Sequence, residues 1–305
     1  MKILVTGGTG YIGAHTVVEL MNSGFDVDII DNLNNSKEEV VDAIAKITGK
    51  RPLWFNIDLC DANEIKNYFS KHKPDAVVHF AAHKAVGLSV EQPLAFYHNN
   101  LLSLINLLQC CVEAKCNSFV FSSSCSVYAD PDKLPIDENA PVKTAKSPYG
   151  NTKKIGEEII TDTVRSSSLQ AVSLRYFNPV GSHDSALIGE LPTTMPLNVM
   201  PIITQVAIGK RKQFVVFGND YPTPDGSCIR DYIHVVDVAK AHVTAVMRLL
   251  NKKNKSAYEV FNLGTGKGFS VLELIHAFEK TTGQKLNYTI EGRRAGDVTA
   301  VYADT

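Results

Sequence analysis

The segment "KILVTGGTGYIG", residues 2–13, decides the fold of this chain. Its first half is a short apolar run typical of a buried strand, and its second half carries Gly7, Gly10 and Gly13 at three-residue spacing where a helix begins near Tyr11. Glycines let the backbone approach a pyrophosphate closely, and the free N–H groups at the start of a helix attract its negative charge. The segment therefore predicts a dinucleotide-binding turn, and the alternative is a tight glycine turn that binds nothing.

The sequence around this turn alternates between strand and helix signals. The stretch after the turn places Ile12, Val17 and Leu20 on one helical face, and Gly24 follows as a stop signal. The candidate strands are near-continuous apolar runs, as is typical of strands covered on both faces: residues 2–7, 26–30, 52–59, 75–82, 118–124 and 171–177. The alternation predicts an α/β fold built on a Rossmann-type, doubly wound parallel sheet.

The regular alternation weakens in the last third of the chain, where proline and glycine become frequent. A helix near 235–250 and a strand near 259–264 are the clearest signals there. We expect a Rossmann domain over residues 1–178, to which strand 259–264 returns, and a smaller α/β substrate-binding domain over residues 179–305.

The composition restricts the classes of partner. The chain has 305 residues with 31 basic and 32 acidic side chains, so it has no overall attraction for nucleic acid or for an anionic membrane. Its apolar runs are shorter than a transmembrane helix, and its N-terminus does not resemble a signal peptide. We therefore expect a cytoplasmic protein.

The cysteines and histidines predict neither a disulfide nor a metal site. The six cysteines show no C-x-x-C spacing, and several lie in apolar stretches where cysteine commonly acts as a small hydrophobe. His79 and His83 belong to a predicted strand, in which a four-residue step spans roughly 13 Å, too far for two ligands of one zinc ion. We expect no bound metal.

Acidic residues at two strand ends bear on which dinucleotide would bind. Asp31 lies at the distance from the glycines at which a carboxylate usually meets the adenosine ribose. A carboxylate there accepts a hydrogen bond from a 2'-hydroxyl and repels a 2'-phosphate, and no arginine stands beside it in the sequence, so NAD is favoured over NADP. Asp58 is placed to reach the adenine edge, although a solvated carboxylate at a strand end has the same sequence pattern.

The segment "SPYGNTKK", residues 147–154, places Tyr149 and Lys153 one helical turn apart. Ser147 and Pro148 are typical of a helix start, so the two side chains share one face. A chain of this composition contains about one such pair by chance, and the plainer interpretation is one turn of helix surface. As a functional pair, the lysine ammonium and a positive nicotinamide ring would lower the pKa of the tyrosine toward neutral pH and make it a general base.

The strand "FVFSSS", residues 119–124, ends in three serines at the carboxyl edge of the predicted sheet, where ligands gather. At least one of Ser122, Ser123 and Ser124 is expected to face the nicotinamide and relay the substrate proton. We select Ser124, and the alternative for each serine is a hydrogen bond to the backbone at the strand end.

The glycine turn, Asp31, the serine run and the Tyr-x-x-x-Lys pair, in this order, resemble the extended short-chain dehydrogenase/reductase family, and within it the chain is similar to the UDP-glucose 4-epimerases. The resemblance extends from Lys2 to Thr305 and is most specific in the segments "TGGTGYIG", "DNLNNS", "HFAAHKAVG", "SSSCSVY", "SPYG", "RYFNPVG", "FGNDYPTPDG", "RDYIHVVD" and "RRAGD". It implies NAD-dependent epimerisation at carbon 4 of a UDP-hexose. Tyr149 takes the proton of the 4-hydroxyl, and the hydride passes from carbon 4 to tightly held NAD. The 4-keto sugar then rotates and recovers the hydride on its other face.

The resemblance also implies which residues bind each ligand. For NAD they are Gly7, Gly10, Tyr11, Ile12, Gly13, Asp31, Asn32, Asn35, Ser36, Asp58, Phe80, Ala81, Lys84, Asn99, Ser122, Tyr149, Lys153 and Tyr176. For the UDP-sugar they are Lys84, Ser124, Tyr149, Phe177, Asn178, Asn198, Val199, Phe217, Arg230, Arg293, Asp297 and Val301. A lysine suits a phosphate and two arginines suit a diphosphate, although each arginine taken singly would more often be a solvated surface residue.

The chain departs from the family pattern close to the cofactor. Ala82 and His83 stand where the family usually has glycine and leucine, and Ala129 stands where it usually has glycine. We expect these departures to affect the affinity for NAD rather than a catalytic role. The family also normally continues past "VYADT" with a further helical segment, so we expect this chain to be truncated at its C-terminus.

One position bears on the choice of sugar. Counted from "RRAGD", Val301 occupies the place where epimerases restricted to glucose and galactose tend to carry tyrosine, whereas those that also take N-acetylated sugars carry a smaller residue. We therefore hypothesise that UDP-GalNAc and UDP-GlcNAc fit as well as UDP-galactose and UDP-glucose.

Three other functions compete with epimerisation. A nucleotide-sugar 4,6-dehydratase or decarboxylase shares the fold, the cofactor and the Tyr-Lys pair, but such enzymes resemble one another in carrying acidic residues where this chain has Cys125 and Ser126. A non-catalytic NAD-binding regulatory protein often loses the tyrosine or the lysine, and a simple reductase using free NADH would not retain its cofactor through purification. By resemblance we also expect a homodimer, formed through helices near residues 90–115 and 150–165.

Overall fold

The computed structural model describes residues 1–192, 196, 198–294 and 297–304, so residues 295 and 296 of the "RRAGD" segment and residue 305 lie outside the described residues. The strands are β1 (Lys2–Thr6), β2 (Asp26–Ile30), β3 (Leu53–Phe55), β4 (Ala76–His79), β5 (Ser118–Ser124), β6 (Gln170–Tyr176), β7 (Asn178–Val180), β8 (Phe214–Phe217), β9 (Ile229–His234), β10 (Tyr258–Leu263), β11 (Gly268–Ser270), β12 (Tyr288–Glu291) and β13 (Ala300–Val301). The α-helices are α1 (Tyr11–Asn22), α2 (Glu39–Thr48), α3 (Ala62–Lys71), α4 (Val86–Glu91), α5 (Pro93–Glu113), α6 (Pro148–Ser166), α7 (Val199–Ala207), α8 (Val235–Leu250) and α9 (Val271–Thr282).

Seven parallel strands form the main sheet, in the order β10-β6-β5-β4-β1-β2-β3. Their register aligns the strand ends, since Thr6 at the end of β1 lies opposite both Ile30 of β2 and His79 of β4. Because parallel strands all finish at the same edge, the segments that follow them gather there. The predicted Rossmann-type sheet is confirmed.

Helices cover both faces of this sheet, which explains why the strand sequences lack polar alternation. In β1, Ile3 and Val5 pack in the apolar core that includes α1 and α8, whereas Leu4 packs in the core that includes α3, α5 and α6 on the other face. All three side chains are fully buried, so each position of the strand requires an apolar residue. None of the described helices is long and apolar enough to cross a membrane.

Two strands end earlier than the sequence pattern predicts. β3 covers only Leu53–Phe55 of the predicted residues 52–59, and β4 covers only Ala76–His79 of the predicted residues 75–82. After β3 the chain turns away at Asp58, whose carboxylate accepts the N–H of Cys60 at 2.8 Å. The apolar residues beyond each strand end therefore belong to loops at the carboxyl edge.

Smaller sheets form most of the second part of the chain. β9 pairs with β7, β11 and β13, and β8 pairs with β12. A separate apolar core that includes Ile203 of α7 and Ile275 of α9 supports them.

The chain crosses the predicted domain boundary again after residue 234. Val238 and Val246 of α8 pack in the same core as α1, and β10 hydrogen-bonds to β6 as the edge strand of the main sheet. α8 packs in this core because the long apolar stripe on the helix needs a large surface to cover it. The region expected over residues 179–305 is thus interrupted by α8 and β10.

The second part lies over the carboxyl edge of the main sheet. β7 follows directly on β6 and pairs with β9, so that Asn178 lies opposite Tyr232. Val127, which follows β5, shares one apolar cluster with Phe177 and Val301. This cluster joins the two parts of the chain next to the serine end of β5.

Candidate active site

The glycine turn between β1 and α1 has the close backbone approaches that require glycine. Gly7 has a φ of +71°, and a Cβ there would lie 2.7 Å from the backbone nitrogen of Ala81. A Cβ on Gly13 would lie 2.1 Å from the carbonyl oxygen of Gly7. Gly10 is the N-cap of α1 and offers no side-chain acceptor to the first N–H groups of the helix. These N–H groups and the helix dipole suit a phosphate.

Asp31 follows β2 and organises the loop beside this turn. Its carboxylate accepts the N–H of Thr9 at 3.1 Å, the N–H of Leu33 at 3.0 Å and the hydroxyl of Ser36 at 3.2 Å. A carboxylate has about four lone-pair positions, so Asp31 retains capacity for a ribose hydroxyl.

Asn32 and Asp58 meet at neighbouring strand ends. The Asn32 amide donates to Asp58 at 3.3 Å, while the other oxygen of Asp58 is held by the turn after β3. Both side chains are exposed, as is Asn35 in the same loop. This end of the site is therefore open to solvent and can admit an adenosine.

Tyr11 joins the glycine turn to the segment after β7. Its hydroxyl donates to the carbonyl oxygen of Gly181 at 2.7 Å. Burial, reinforced by the nearby Glu190 carboxylate, raises the pKa of Tyr11, so the hydroxyl remains a donor. The next residue, Ile12, packs against the core under α1.

The segment after β4 forms the opposite wall. Phe80 packs against the core, and its ring centre lies 4.6 Å from that of His242. The following backbone at Ala81 is the one that approaches Gly7. The wall of the turn is therefore made of main chain, which a phosphate can approach closely.

Asn100 of α5 holds the residues that depart from the family pattern after β4. Its side chain accepts the N–H of His83 at 2.8 Å and donates to the carbonyl oxygen of the same residue at 3.0 Å. Asn99 donates to Asn100 at 2.9 Å, so this predicted cofactor residue belongs to the same network. At the third departure, Ala129 has a φ of +54°, which glycine adopts at lower steric cost.

Tyr149 lies at the start of α6 and faces the end of β5. The Ser147 hydroxyl accepts the N–H of Gly150 at 3.1 Å, so Ser147 is the N-cap of the helix. The Ser124 side chain lies beside the Tyr149 hydroxyl. Burial raises the pKa of Tyr149 to about 12, and the nearby Ser124 hydroxyl offsets only part of that effect. Tyr149 therefore needs a nearby positive charge in order to act as a base.

Lys153 is buried one turn further along α6. Its Nζ donates to the carbonyl oxygen of Ser122 at 2.7 Å and lies 5.9 Å from the centre of the Tyr149 ring. Burial lowers the pKa of Lys153 to about 8, while the Glu157 carboxylate acts in the opposite direction. The side chain is therefore still mainly an ammonium ion at neutral pH, close enough to favour the Tyr149 phenolate.

The three serines at the end of β5 face three different side chains. The Ser122 hydroxyl bonds to the hydroxyl of Tyr176, whose pKa is raised by burial. The Ser123 hydroxyl donates to Glu157 at 2.5 Å. Of the three, Ser124 is the one that lies beside the tyrosine of α6.

A cationic group lies on β9 and in the segment after β12. A terminal nitrogen of Arg230 lies 3.5 Å from Asp297, and Arg294 donates to both oxygens of Asp297 at 2.8 and 3.2 Å. The Arg294 guanidinium lies 5.5 Å from the centre of the Phe217 ring. Two guanidinium groups beside an aromatic ring can hold a diphosphate next to a stacked base.

Arg293, which the sequence analysis assigned to this group, has its side chain elsewhere. It donates to Asp220 at 2.7 Å and lies over the Tyr221 ring at 4.2 Å, with 46% of the side chain exposed. Arg294 takes its place beside Asp297. Successive residues of an extended segment point to opposite sides, so a one-residue difference in the matching exchanges the two arginines.

Glu190 joins Lys84 and Asn198, both of which were predicted to bind the UDP-sugar. Its carboxylate accepts from Lys84 at 3.1 Å and from Asn198 at 2.7 Å, and only 12% of its side chain is exposed. Asn198 is the N-cap of α7, which begins at Val199. The sequence analysis missed Glu190 because a single glutamate in a proline- and glycine-rich segment forms no pattern.

The remaining predicted substrate residues lie where the two parts of the chain meet. Phe177 and Val301 are buried in one apolar cluster. Asn178 begins β7, and Val301 lies opposite Arg230 in the neighbouring strand. These residues therefore lie between the serine end of β5 and the cationic group.

Comparisons with known proteins find similarity along the whole chain. A model described as "NAD dependent epimerase/dehydratase family" matches residues 3–264. The UDP-glucose 4-epimerase of Bacillus subtilis (strain 168) is 48% identical over 305 residues, which cover 100% of this chain and 89% of that protein. The crystal structure of UDP-glucose 4-epimerase from Stenotrophomonas maltophila with bound NAD and formylated UDP-arabinopyranose has a TM-score of 0.96 at 47% identity, covering 100% of this chain and 90% of that one. The enzyme from Bifidobacterium longum in complex with NAD+ and UDP has a TM-score of 0.95 at 44% identity, with the same coverage.

Proposed function

This chain belongs to the NAD-dependent epimerase/dehydratase family, and we propose that it is an enzyme that inverts carbon 4 of UDP-hexoses and interconverts UDP-galactose and UDP-glucose. The observation that carries the proposal is the position of Lys153, which is buried one helical turn from Tyr149, bonds to the carbonyl oxygen of Ser122 at 2.7 Å and lies 5.9 Å from the centre of the Tyr149 ring, at the sheet edge where the glycine turn opens. The names of the full-length relatives support the same reaction.

The residues around the glycine turn fit NAD. The turn excludes a Cβ at Gly7 and Gly13 and leaves its N–H groups for the pyrophosphate. Asp31 accepts a ribose hydroxyl and disfavours the 2'-phosphate of NADP. Lys84 supplies a positive charge for the pyrophosphate once its bond to Glu190 is exchanged.

Tyr149 exchanges the proton of the sugar 4-hydroxyl. Bound NAD supplies a hydride acceptor for carbon 4 and, in its oxidised form, a positive charge that adds to that of Lys153. Two positive charges near the hydroxyl oppose the effect of burial on the Tyr149 pKa and favour the phenolate. Ser124 lies beside Tyr149, where its hydroxyl can bond to the sugar 4-hydroxyl and help to transfer this proton to Tyr149.

Arg230 and Arg294 hold the diphosphate while the sugar ring turns. Loss of the proton from the 4-hydroxyl oxygen and of the hydride from carbon 4 leaves a 4-keto sugar. Return of the hydride to the opposite face of carbon 4, and of a proton to the oxygen, gives the inverted configuration. Since the arginines bind the diphosphate, the ring can turn about its link to that group without losing its anchor. The reaction involves no net oxidation and needs no further reactant.

The residues before Val127 do not favour loss of water from the sugar. A 4,6-dehydratase needs an additional acid and base. The positions at which such enzymes carry acidic residues are Cys125 and Ser126 in this chain. Burial raises the pKa of Cys125 to about 12, so its thiol stays protonated at neutral pH and is a poor base.

The proposal is tested by incubating the purified protein with UDP-galactose, without added cofactor, and following the sugar by proton NMR. We expect UDP-glucose to form until the two sugars reach equilibrium. A 4-keto-6-deoxy product would instead indicate a dehydratase, and no conversion even after addition of NAD would contradict enzymatic function.

We also propose that N-acetylated UDP-hexoses are substrates, because the short side chain of Val301 lies beside Phe177 at the sugar end of the site. A Val301→Tyr variant is expected to keep its turnover of UDP-galactose and to lose about ten-fold or more in kcat/KM for UDP-GalNAc, since the larger ring fills the space of the acetyl group. Both substrates are compared by NMR on protein whose thermal unfolding is also measured. Undiminished turnover of UDP-GalNAc by the variant would contradict the idea.

We further propose that the protein is a homodimer formed through α4, α5 and α6. Leu94 is 82% exposed and Val90 is 62% exposed, and Asn151 of α6 donates to Tyr97 of α5 at 2.8 Å beside them. Exposed apolar side chains on adjoining helices are typical of an association surface. Sedimentation velocity is expected to give twice the chain mass of 33.4 kDa, and a Leu94→Asp variant is expected to sediment as a monomer. A wild-type protein at the single-chain mass would refute the dimer.

A further inference from the structure

Three side chains on one stripe of α6 face the serine end of β5. Tyr149 lies beside Ser124, Lys153 donates to the carbonyl oxygen of Ser122 at 2.7 Å, and Glu157 accepts from the hydroxyl of Ser123 at 2.5 Å. The three helix residues are spaced by four, so they lie on one face of α6. Tyr149 and Lys153 belong to the proposed acid-base machinery, whereas Glu157 has no role in the mechanism described above.

Glu157 is a buried carboxylate that spans two strands of the main sheet. Arg175 of β6 donates to both of its oxygens, at 2.9 and 2.5 Å, and lies opposite Ser123 in the sheet. Only 7% of Glu157 and 5% of Arg175 is exposed. Arg175 also donates to the hydroxyl of Tyr128 at 2.9 Å, and this hydroxyl donates to Asn262 of β10 at 2.7 Å. The carboxylate is therefore held at a defined place.

We propose that Glu157 is a positioning residue for the Tyr149–Lys153 pair: it keeps α6 in register with the end of β5, and its negative charge maintains the ammonium form of Lys153. This inference rests on the proposed epimerase function. Because Ser123 lies between Ser122 and Ser124, its bond to Glu157 anchors the two neighbours that contact Lys153 and Tyr149. Because Glu157 follows Lys153 by one helical turn, its charge acts directly on the ammonium.

The charge balance at Lys153 depends on few groups. The titratable and charged groups that face Glu157 or Lys153 from the described elements are Tyr149, Arg175, Tyr128, Tyr258 and His79, with Glu138 behind Tyr128 and Cys125 behind Tyr149. The phenols and the thiol are neutral at pH 7 because burial raises their pKa, and burial lowers the pKa of His79 to about 3. Of these groups, the Glu157 carboxylate is the one whose charge acts on Lys153, and Arg175 is paired with that carboxylate.

Two single variants of this ion pair have opposite expected effects. Glu157→Gln leaves the Arg175 charge unpaired, which lowers the pKa of Lys153 further. The alkaline limb of the pH profile, over which activity is lost, is therefore expected to move about one unit lower in pH. Arg175→Met leaves the Glu157 charge unpaired, which raises the pKa of Lys153 and moves the same alkaline limb to higher pH. The double variant removes both charges, so its alkaline limb is expected to move to lower pH, by less than in Glu157→Gln.

The experiment compares the pH dependence of kcat for UDP-galactose in the wild type and in these three variants, with Glu158→Gln as the matched control. Glu158 is the exposed neighbour of Glu157, and its variant is expected to match the wild type. A direct readout is the titration of the Lys153 Cε resonance in protein labelled with carbon-13 lysine, assigned by its loss in Lys153→Met. Alkaline limbs that stay in place, or that shift in the same direction in both single variants, would overturn the proposal.

If Glu157→Gln and Arg175→Met fail to fold, a fourth variant, Glu157→Asp, still tests the proposal. It retains the charge but shortens the reach to Ser123, so kcat is expected to fall by about ten-fold while the alkaline limb stays in place. An unchanged kcat would contradict the positioning role of Glu157. A displaced alkaline limb would contradict its charge effect on Lys153. If the wild type does not epimerise UDP-galactose, the proposed function fails, and the lysine titration still measures the effect of Glu157 on Lys153.

Discussion

Replacement of Tyr149 by phenylalanine is expected to lower kcat for UDP-galactose by about a thousand-fold to ten thousand-fold. A positioned general base commonly contributes a hundred-fold to ten thousand-fold, and Tyr149 is the one residue that we assign to direct proton exchange with the sugar hydroxyl. The loss corresponds to roughly 4 to 5.5 kcal/mol of transition-state stabilisation. The ring remains in place, so KM and the content of bound NAD are expected to change by less than about three-fold.

The matched control is Tyr97→Phe, which removes a hydroxyl that accepts a hydrogen bond from Asn151 outside the site. Its kcat is expected to equal that of the wild type. Both variants are assayed by NMR, and the NAD released on denaturation is measured together with the midpoint of thermal unfolding. A Tyr149→Phe enzyme with more than a tenth of the wild-type kcat would assign the proton transfer to another residue.

Replacement of Arg294 by leucine is expected to raise KM for UDP-galactose by about ten-fold to a hundred-fold, with a smaller effect on kcat. A charge-assisted hydrogen bond to a phosphate is about twice as strong as a neutral one, and Arg294 is held by Asp297 beside the Phe217 ring. Loss of its charge leaves Arg230 as the remaining guanidinium of the pair. The change acts on binding because the diphosphate is held equally before and after the chemical step.

The adjacent residue provides a control of the same type. Arg293→Leu removes an exposed arginine that bonds to Asp220, and it is expected to change KM by less than about three-fold. Initial rates over a range of UDP-galactose concentrations separate KM from kcat for both variants. An equal rise in KM at the two positions, or a larger rise for Arg293→Leu, would show that we have assigned the wrong arginine to the diphosphate.

The acid-base pair illustrates how burial and charge oppose each other in this site. Burial alone favours the uncharged form of both partners, since it raises the pKa of Tyr149 to about 12 and lowers that of Lys153 to about 8. The proposed reaction requires the charged form of both, a phenolate next to an ammonium. Mutual attraction, the nearby Ser124 hydroxyl and the Glu157 carboxylate each favour those charged forms. We therefore expect activity on the alkaline side to fall as Lys153 loses its proton.

Much of the fold was predictable from the sequence because the relevant signals are local. Three glycines between a strand and a helix require a tight turn, and the close approaches of Gly7 and Gly13 in the structure explain why no other residue suits. Apolar runs without alternation predicted a sheet covered on both faces, and the seven parallel strands confirm it. Ser147 and Pro148 predicted the start of α6, and with it the shared face of Tyr149 and Lys153.

Other parts of the site depend on contacts between residues that are distant in the chain. The choice between Arg293 and Arg294 follows from which side of an extended segment faces Asp297 and Phe217, and the sequence carries no local signal for that direction. Glu157 becomes meaningful only when β6 brings Arg175 against it.

The sequence by itself therefore determined the parallel sheet, the dinucleotide turn and the position of the acid-base pair on one helix, because spacing along a strand or helix determines which side chains share a face. Only the tertiary structure decided which arginine joins the cationic group, that Glu190 links Lys84 to Asn198, and that α8 packs against the main sheet. These facts depend on how separate elements pack, and packing is set by the complementarity of whole surfaces rather than by local spacing.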